Sequence, residues 1–112
     1  MSSIAEDEVM AVIARIERGD LRVRASCEWV VGAPRVEFDT DDGWTFVVFN
    51  ESGQWDYIEC VKAPDGRWLQ SHEIDGARTP RLDAYCPANV EVCRRWGLSQ
   101  DGAVLLRKYA CP

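Results

Sequence analysis

Asp42-Gly43-Trp44-Thr45-Phe46-Val47-Val48-Phe49-Asn50-Glu51-Ser52-Gly53-Gln54-Trp55 carries the choice of fold class. Asp42-Gly43 is a tight hairpin signal, and Ser52-Gly53 is a second turn. Between them residues 44–49 are apolar at nearly every position, which predicts a central strand covered on both faces, in part by a helix. Upstream, residues 35–39 alternate around Val36 and Phe38, after a break at Gly32-Ala33-Pro34. Residues 22–31 also have period two, with Val23, Ala25, Cys27, Trp29 and Val31 on one face and Arg22, Arg24, Ser26 and Glu28 on the other. Downstream, residues 55–62 form the next expected strand. The turn Ala63-Pro64-Asp65-Gly66 then leads to a short fifth strand at Trp68-Leu69. Connections this short cannot make the crossover that parallel strands need, so the sheet is expected to be an antiparallel meander.

The flanks are helical. Ser3 and Glu6 have capping-box spacing, and Glu6, Asp7 and Glu8 would sit at the positive end of a helix dipole. Val9, Val12, Ile13 and Ile16 recur at helical spacing, Arg15 and Arg18 follow, and Gly19 can end the helix, which is expected over residues 4–18. Residues 75–80 read as a surface loop. Pro87 opens an expected short helix through Trp96, and Ser99 caps another carrying Val104, Leu105 and Tyr109. The fold class is α+β: an N-terminal amphipathic helix on an antiparallel meander of four to five strands, with short C-terminal helices.

A chain of 112 residues, 46% apolar and 29% charged, is expected to form one globular domain over residues 1–112. The net charge of −6 disfavours nucleic acid, whose phosphates such a field repels. The charge is uneven: residues 1–59 hold thirteen acids and five bases, residues 60–112 six acids and eight bases. The first residues lack the basic start and apolar run of a secretory signal, and no run of about 18 apolar residues occurs. A cytoplasmic location without membrane association is therefore expected. Cys27, Cys60, Cys86, Cys93 and Cys111 lack the spacing of a disulfide framework and are expected to be thiols.

Residues 43–50, Gly-Trp-Thr-Phe-Val-Val-Phe-Asn, are followed by Asp56-Tyr57-Ile58 and by Ala63-Pro64-Asp65-Gly66-Arg67. This pattern resembles a family of small bacterial domains of unknown function, over about residues 19–67. The resemblance implies a fold type and a bacterial context, and it carries no catalytic residue.

Residues able to support chemistry are sparse. His72 is the one histidine, and a nucleophile such as Cys60 or Cys86 would have to be brought to it by the fold. Cys86 and Cys93 are spaced too widely for an ordinary zinc pair. Asp39-Thr40-Asp41-Asp42-Gly43 starts like a calcium loop, but its twelfth position falls near Asn50 and Glu51, inside or past a strand. A hairpin turn explains it better. The glycines are dispersed as single turn residues, so no phosphate-cradling loop or dinucleotide fingerprint is present, and no cofactor or metal is expected.

One feature points to a partner. Residues 37–59 hold Glu37, Asp39, Asp41, Asp42, Glu51, Asp56 and Glu59 without one Lys or Arg. A solvated sheet edge would account for such a run, but on adjoining hairpins it would also build a potential that steers a basic protein. The expected binding residues are Asp39, Asp41, Asp42, Glu51, Asp56 and Glu59, with Trp55 as an exposed anchor. The function expected on size, charge and fold is a non-enzymatic, immunity-type protein that masks a basic partner such as a toxin or nuclease. The alternatives are a small enzyme with a Cys/His centre, or an interaction or regulatory domain.

Overall fold

The computed structural model describes residues 4–25, 35–51, 54–70 and 79–96. Helix α1 (Glu6–Arg18) forms where the apolar spacing predicts it, and Val9, Val12, Ile13 and Ile16 are all buried. Gly19 ends it at φ 83°, a left-handed conformation that an L side chain resists, with its amide donating to the Ile16 carbonyl at 3.0 Å.

The helix start differs from the expected capping box. Its N-cap is Ala5, without a side-chain cap, and Ser3 lies outside the described residues. The Glu6 carboxylate instead accepts hydrogen bonds from the backbone amides of Arg81 and Leu82, at 2.9 and 3.0 Å. Those amides belong to the first turn of α2 (Pro80–Asp83), where no intrahelical acceptor exists. An acid placed to cap its own helix thus caps one 75 positions away, and Arg81 is further held by Glu6 and Asp7.

Five strands form an antiparallel meander in the order β1-β2-β3-β4-β5: β1 (Val23–Ala25), β2 (Arg35–Thr40), β3 (Thr45–Glu51), β4 (Gln54–Lys62) and β5 (Trp68–Gln70). Most of the first expected strand, residues 26–31, lies outside the described set. Strand β3 is central, but it is not covered equally on both faces. Phe46 and Val48 are fully buried, whereas Val47 and Phe49 on the outer face are half-buried.

Strand β4 departs from simple alternation. Val47 faces Cys60 and Val48 faces Ile58, so Glu59 is an extra residue. Phe49 faces Tyr57 and Asn50 faces Trp55, so Asp56 is another. These two bulges set the inward residues three apart, at Trp55, Ile58 and Val61, all of which are buried.

The centre of the core is filled from beyond the sheet. Helix α3 (Val90–Arg95) is capped by Asn89, whose Oδ1 accepts from the Val92 amide at 3.0 Å, so it begins three residues after Pro87. It delivers Trp96, fully buried, against Phe46, Trp55 and Phe38 at ring separations of 5.2, 5.4 and 5.6 Å. Tyr85 completes the cluster. Its carbonyl accepts from Trp55 Nε1 at 3.2 Å, its hydroxyl accepts from Trp96 Nε1 at 3.1 Å, and that hydroxyl donates to Glu17 at 2.8 Å. Burial first, and then the Glu17 carboxylate, push the Tyr85 hydroxyl well above its ordinary value. Residue 80, expected to close a loop, opens α2 instead, because proline needs no amide partner at a first helical turn. The helix expected after Ser99, with Val104, Leu105 and Tyr109, lies outside the described residues.

Candidate binding surface

The acids read as one run along the sequence fall at two ends of the sheet. In a meander successive hairpin turns lie at opposite ends, so the β2–β3 turn carries Asp41 and Asp42 while the β3–β4 hairpin carries Glu51, facing Gln54, and Asp56. From Arg35 to Asp39 the β2 strand advances about 13 Å at roughly 3.3 Å per residue.

The β2–β3 turn is firmly built. Gly43, at φ 98°, donates its amide to the Thr40 carbonyl at 3.2 Å, and Trp44 donates its amide to Thr40 Oγ1 at 2.9 Å. Thr40 Oγ1 in turn donates to Asp42 at 2.6 Å. A Cβ at Gly43 would lie 3.2 Å from the Pro64 ring, so this turn also leans on the β4–β5 turn. Asp39 accepts from the Thr45 hydroxyl at 3.0 Å.

Three of the acids, Asp41, Asp42 and Glu59, are compensated by cations from outside the run. Arg15 of α1 lies 3.5 Å from Asp42, Arg22 lies 3.9 Å from Asp41, and Arg35 holds Glu59 with two bonds of 2.5 and 3.0 Å. The first two pairs are long and exposed, a class worth at most about 1 kcal/mol each. Asp41 and Asp42 remain at the surface. Trp55, expected as an exposed anchor, is 2% exposed and belongs to the core. Its bulged strand turns it inward.

On the outer face, Arg35, Phe49 and Tyr57 form one row across β2, β3 and β4. The Phe49 and Tyr57 rings are 5.4 Å apart and the Arg35 guanidinium sits 5.8 Å from the Phe49 centroid. Burial, followed by the Glu59 and Asp56 carboxylates, raises the Tyr57 hydroxyl above its ordinary value. The sequence does not announce this row, because a strict alternation of residues 55–62 would put Trp55 and Tyr57 on the same face.

No group of three or more His, Cys, Asp or Glu able to hold a metal occurs among the described residues. His72 lies outside them, as do Cys27 and Cys111. Cys60 and Cys93 are free thiols. Burial holds the Cys60 thiol up and raises Cys93 from the ordinary 9.0 to about 11. Since the folded pKa of Cys93 exceeds the unfolded one, its contribution to stability is complete below pH 9 and is lost as pH rises toward 11. Denaturation midpoints across that interval are expected to fall, and to fall less in Cys93→Ala. Native alkylation followed by intact mass should find Cys93 unmodified at neutral pH; rapid modification there would contradict the burial. No described helix is long and apolar enough to cross a membrane. No protein-family model, curated protein or solved structure matches the chain.

Proposed function

We propose that the protein is a non-enzymatic binding domain of the immunity type, which masks a basic protein partner such as a toxin or nuclease. The reading rests on the β2–β3 turn, where Asp41 and Asp42 are exposed on a backbone fixed by Thr40 and Gly43. Their long pairs with Arg22 and Arg15 can be exchanged for a partner's cations at little energetic loss. A preformed turn presents those carboxylates without an ordering penalty, and the net charge of −6 adds long-range steering. The resemblance of residues 19–67 to small bacterial domains supplies the context of the proposal. A cytoplasmic setting, where thiols stay reduced, fits the same reading.

The test begins with a partner captured by the parent protein from its host and identified by mass spectrometry. Asp41→Lys with Asp42→Lys is expected to slow association about tenfold and to flatten its dependence on ionic strength, with a smaller change in dissociation. A folded double variant that associates at the parental rate would place the binding surface elsewhere.

A further inference from the structure

The outer face of the sheet carries one row that crosses all five strands. Register sets Arg24 of β1 beside Asp39 of β2, Asp39 beside Thr45 of β3, Thr45 beside Lys62 of β4, and Lys62 beside Trp68 of β5. Paired positions of antiparallel strands share a face, and the chain neighbours Val23, Phe46 and Leu69 are buried on the other one, so this row points away from the core. Arg24, Lys62 and Trp68 are exposed, the indole at 43%, a large apolar surface to leave in water. Neither Arg24 nor Lys62 makes an ion pair among the described residues. Asp39 accepts one bond, from the Thr45 hydroxyl, and a carboxylate has room for more.

From β1 to β5 this row is complementary to its own reverse. Turned end for end, arginine meets tryptophan, aspartate meets lysine, and threonine meets threonine. Such an order suits an isologous contact, in which one residue meets a second and the second meets the first. A two-fold axis parallel to β3 produces it, laying β1 of one copy over β5 of the other and β2 over β4, with the sheets about 10 Å apart. The Arg24 guanidinium then rests on the indole of the other copy, a cation over a π face, and the Lys62 ammonium meets the Asp39 carboxylate. An axis across the strands would instead bring Asp39 onto Asp39 and Lys62 onto Lys62, so charge selects the first arrangement. On that axis lie Thr45, Val47 and Phe49 of the central strand, and pairing covers the half-buried Val47 and Phe49.

We propose that the outer face of the sheet is a homodimer interface, occupied by a second copy of the chain about a two-fold axis parallel to β3. Four strand spacings of about 4.8 Å and strands of about 20 Å make a flat patch of roughly 400 Å² per copy, at the small end for a specific interface. The dimer is therefore weak and exchanges with monomer in the micromolar range or above.

Sedimentation velocity of the purified protein, from about 1 µM to about 1 mM, reads this directly. The average mass is expected to climb from 12.7 kDa toward twice that value. Asp39→Lys and Lys62→Asp should each weaken self-association by at least about tenfold, because each sets like charges face to face. An equimolar mixture of those two variants should associate again, since every reversed charge then meets its opposite; loss of folding could not give that rescue. Trp68→Ala removes an exposed side chain, so the fold tolerates it, and should weaken the dimer about tenfold while leaving the urea midpoint in place. A mass that stays at 12.7 kDa throughout, a dimer indifferent to Trp68→Ala and to both reversals, or folded reversed variants that do not associate with each other would each overturn the proposal. These measurements need no captured partner, so their failure leaves the reading of the Asp41 and Asp42 turn intact, and the reverse.

Discussion

Replacing Trp96 by alanine is expected to lower stability by about 3 to 5 kcal/mol, a large share of what a domain of this size has. The indole is fully buried and in edge contact with Phe46, Trp55 and Phe38, so truncation leaves a cavity bounded by rigid rings that cannot collapse into it. It also removes the Nε1 donor to the Tyr85 hydroxyl, which is held at 3.1 Å. Urea denaturation followed by far-UV circular dichroism gives the measurement. Trp96→Phe, which keeps most of the volume and loses the donor, should fall between parent and alanine. A midpoint within error of the parent for Trp96→Ala would mean that the C-terminal helices do not seal this core.

Trp55→Ala is expected to cost a similar amount, about 3 to 5 kcal/mol, and to act on folding before it acts on any complex. Trp55 is 2% exposed, packs against Phe38 and Trp96, and donates to the Tyr85 carbonyl at 3.2 Å. A hot-spot residue at an interface would give the opposite pattern: unchanged denaturation and faster release of the partner. The two assays together decide which role Trp55 has. Unchanged stability in the alanine variant would contradict its place in the core.

The contrast between these two tryptophans shows what the sequence makes legible. Strands β2 and β3 could be read because Val36 and Phe38, then Phe46 and Val48, keep period two through strands with regular pairing between them. Strand β4 could be located, but its faces could not be assigned. Two inserted residues, Asp56 and Glu59, move the inward positions to a spacing of three, and nothing local in residues 54–62 announces that. Trp55 therefore reads as a turn-exit anchor while the fold uses it as core.

The same limit applies to charge. Residues 37–59 contain no base, so the run looks uncompensated until tertiary structure brings Arg15 from α1, Arg22 from before β1 and Arg35 from the head of β2. A charge pattern along the chain reports composition; pairing depends on which elements become neighbours. Glu6 makes the point for hydrogen bonds. Its spacing from Ser3 suits a cap on α1, yet a helix much later in the chain presents free amides at the right place.

The placement of Trp96 bears on how the chain is made. Every strand pairs with its neighbour in sequence, so the meander can grow by local hairpin closure, the quick kind of β assembly. Its apolar face closes late, however. Synthesis delivers α1 and then all five strands before the indole that separates Phe46 from Trp55 has left the ribosome. During that interval a nearly finished sheet presents Phe38, Phe46 and Trp55 to water, and there the nascent protein is most open to association with other chains and most in need of a chaperone.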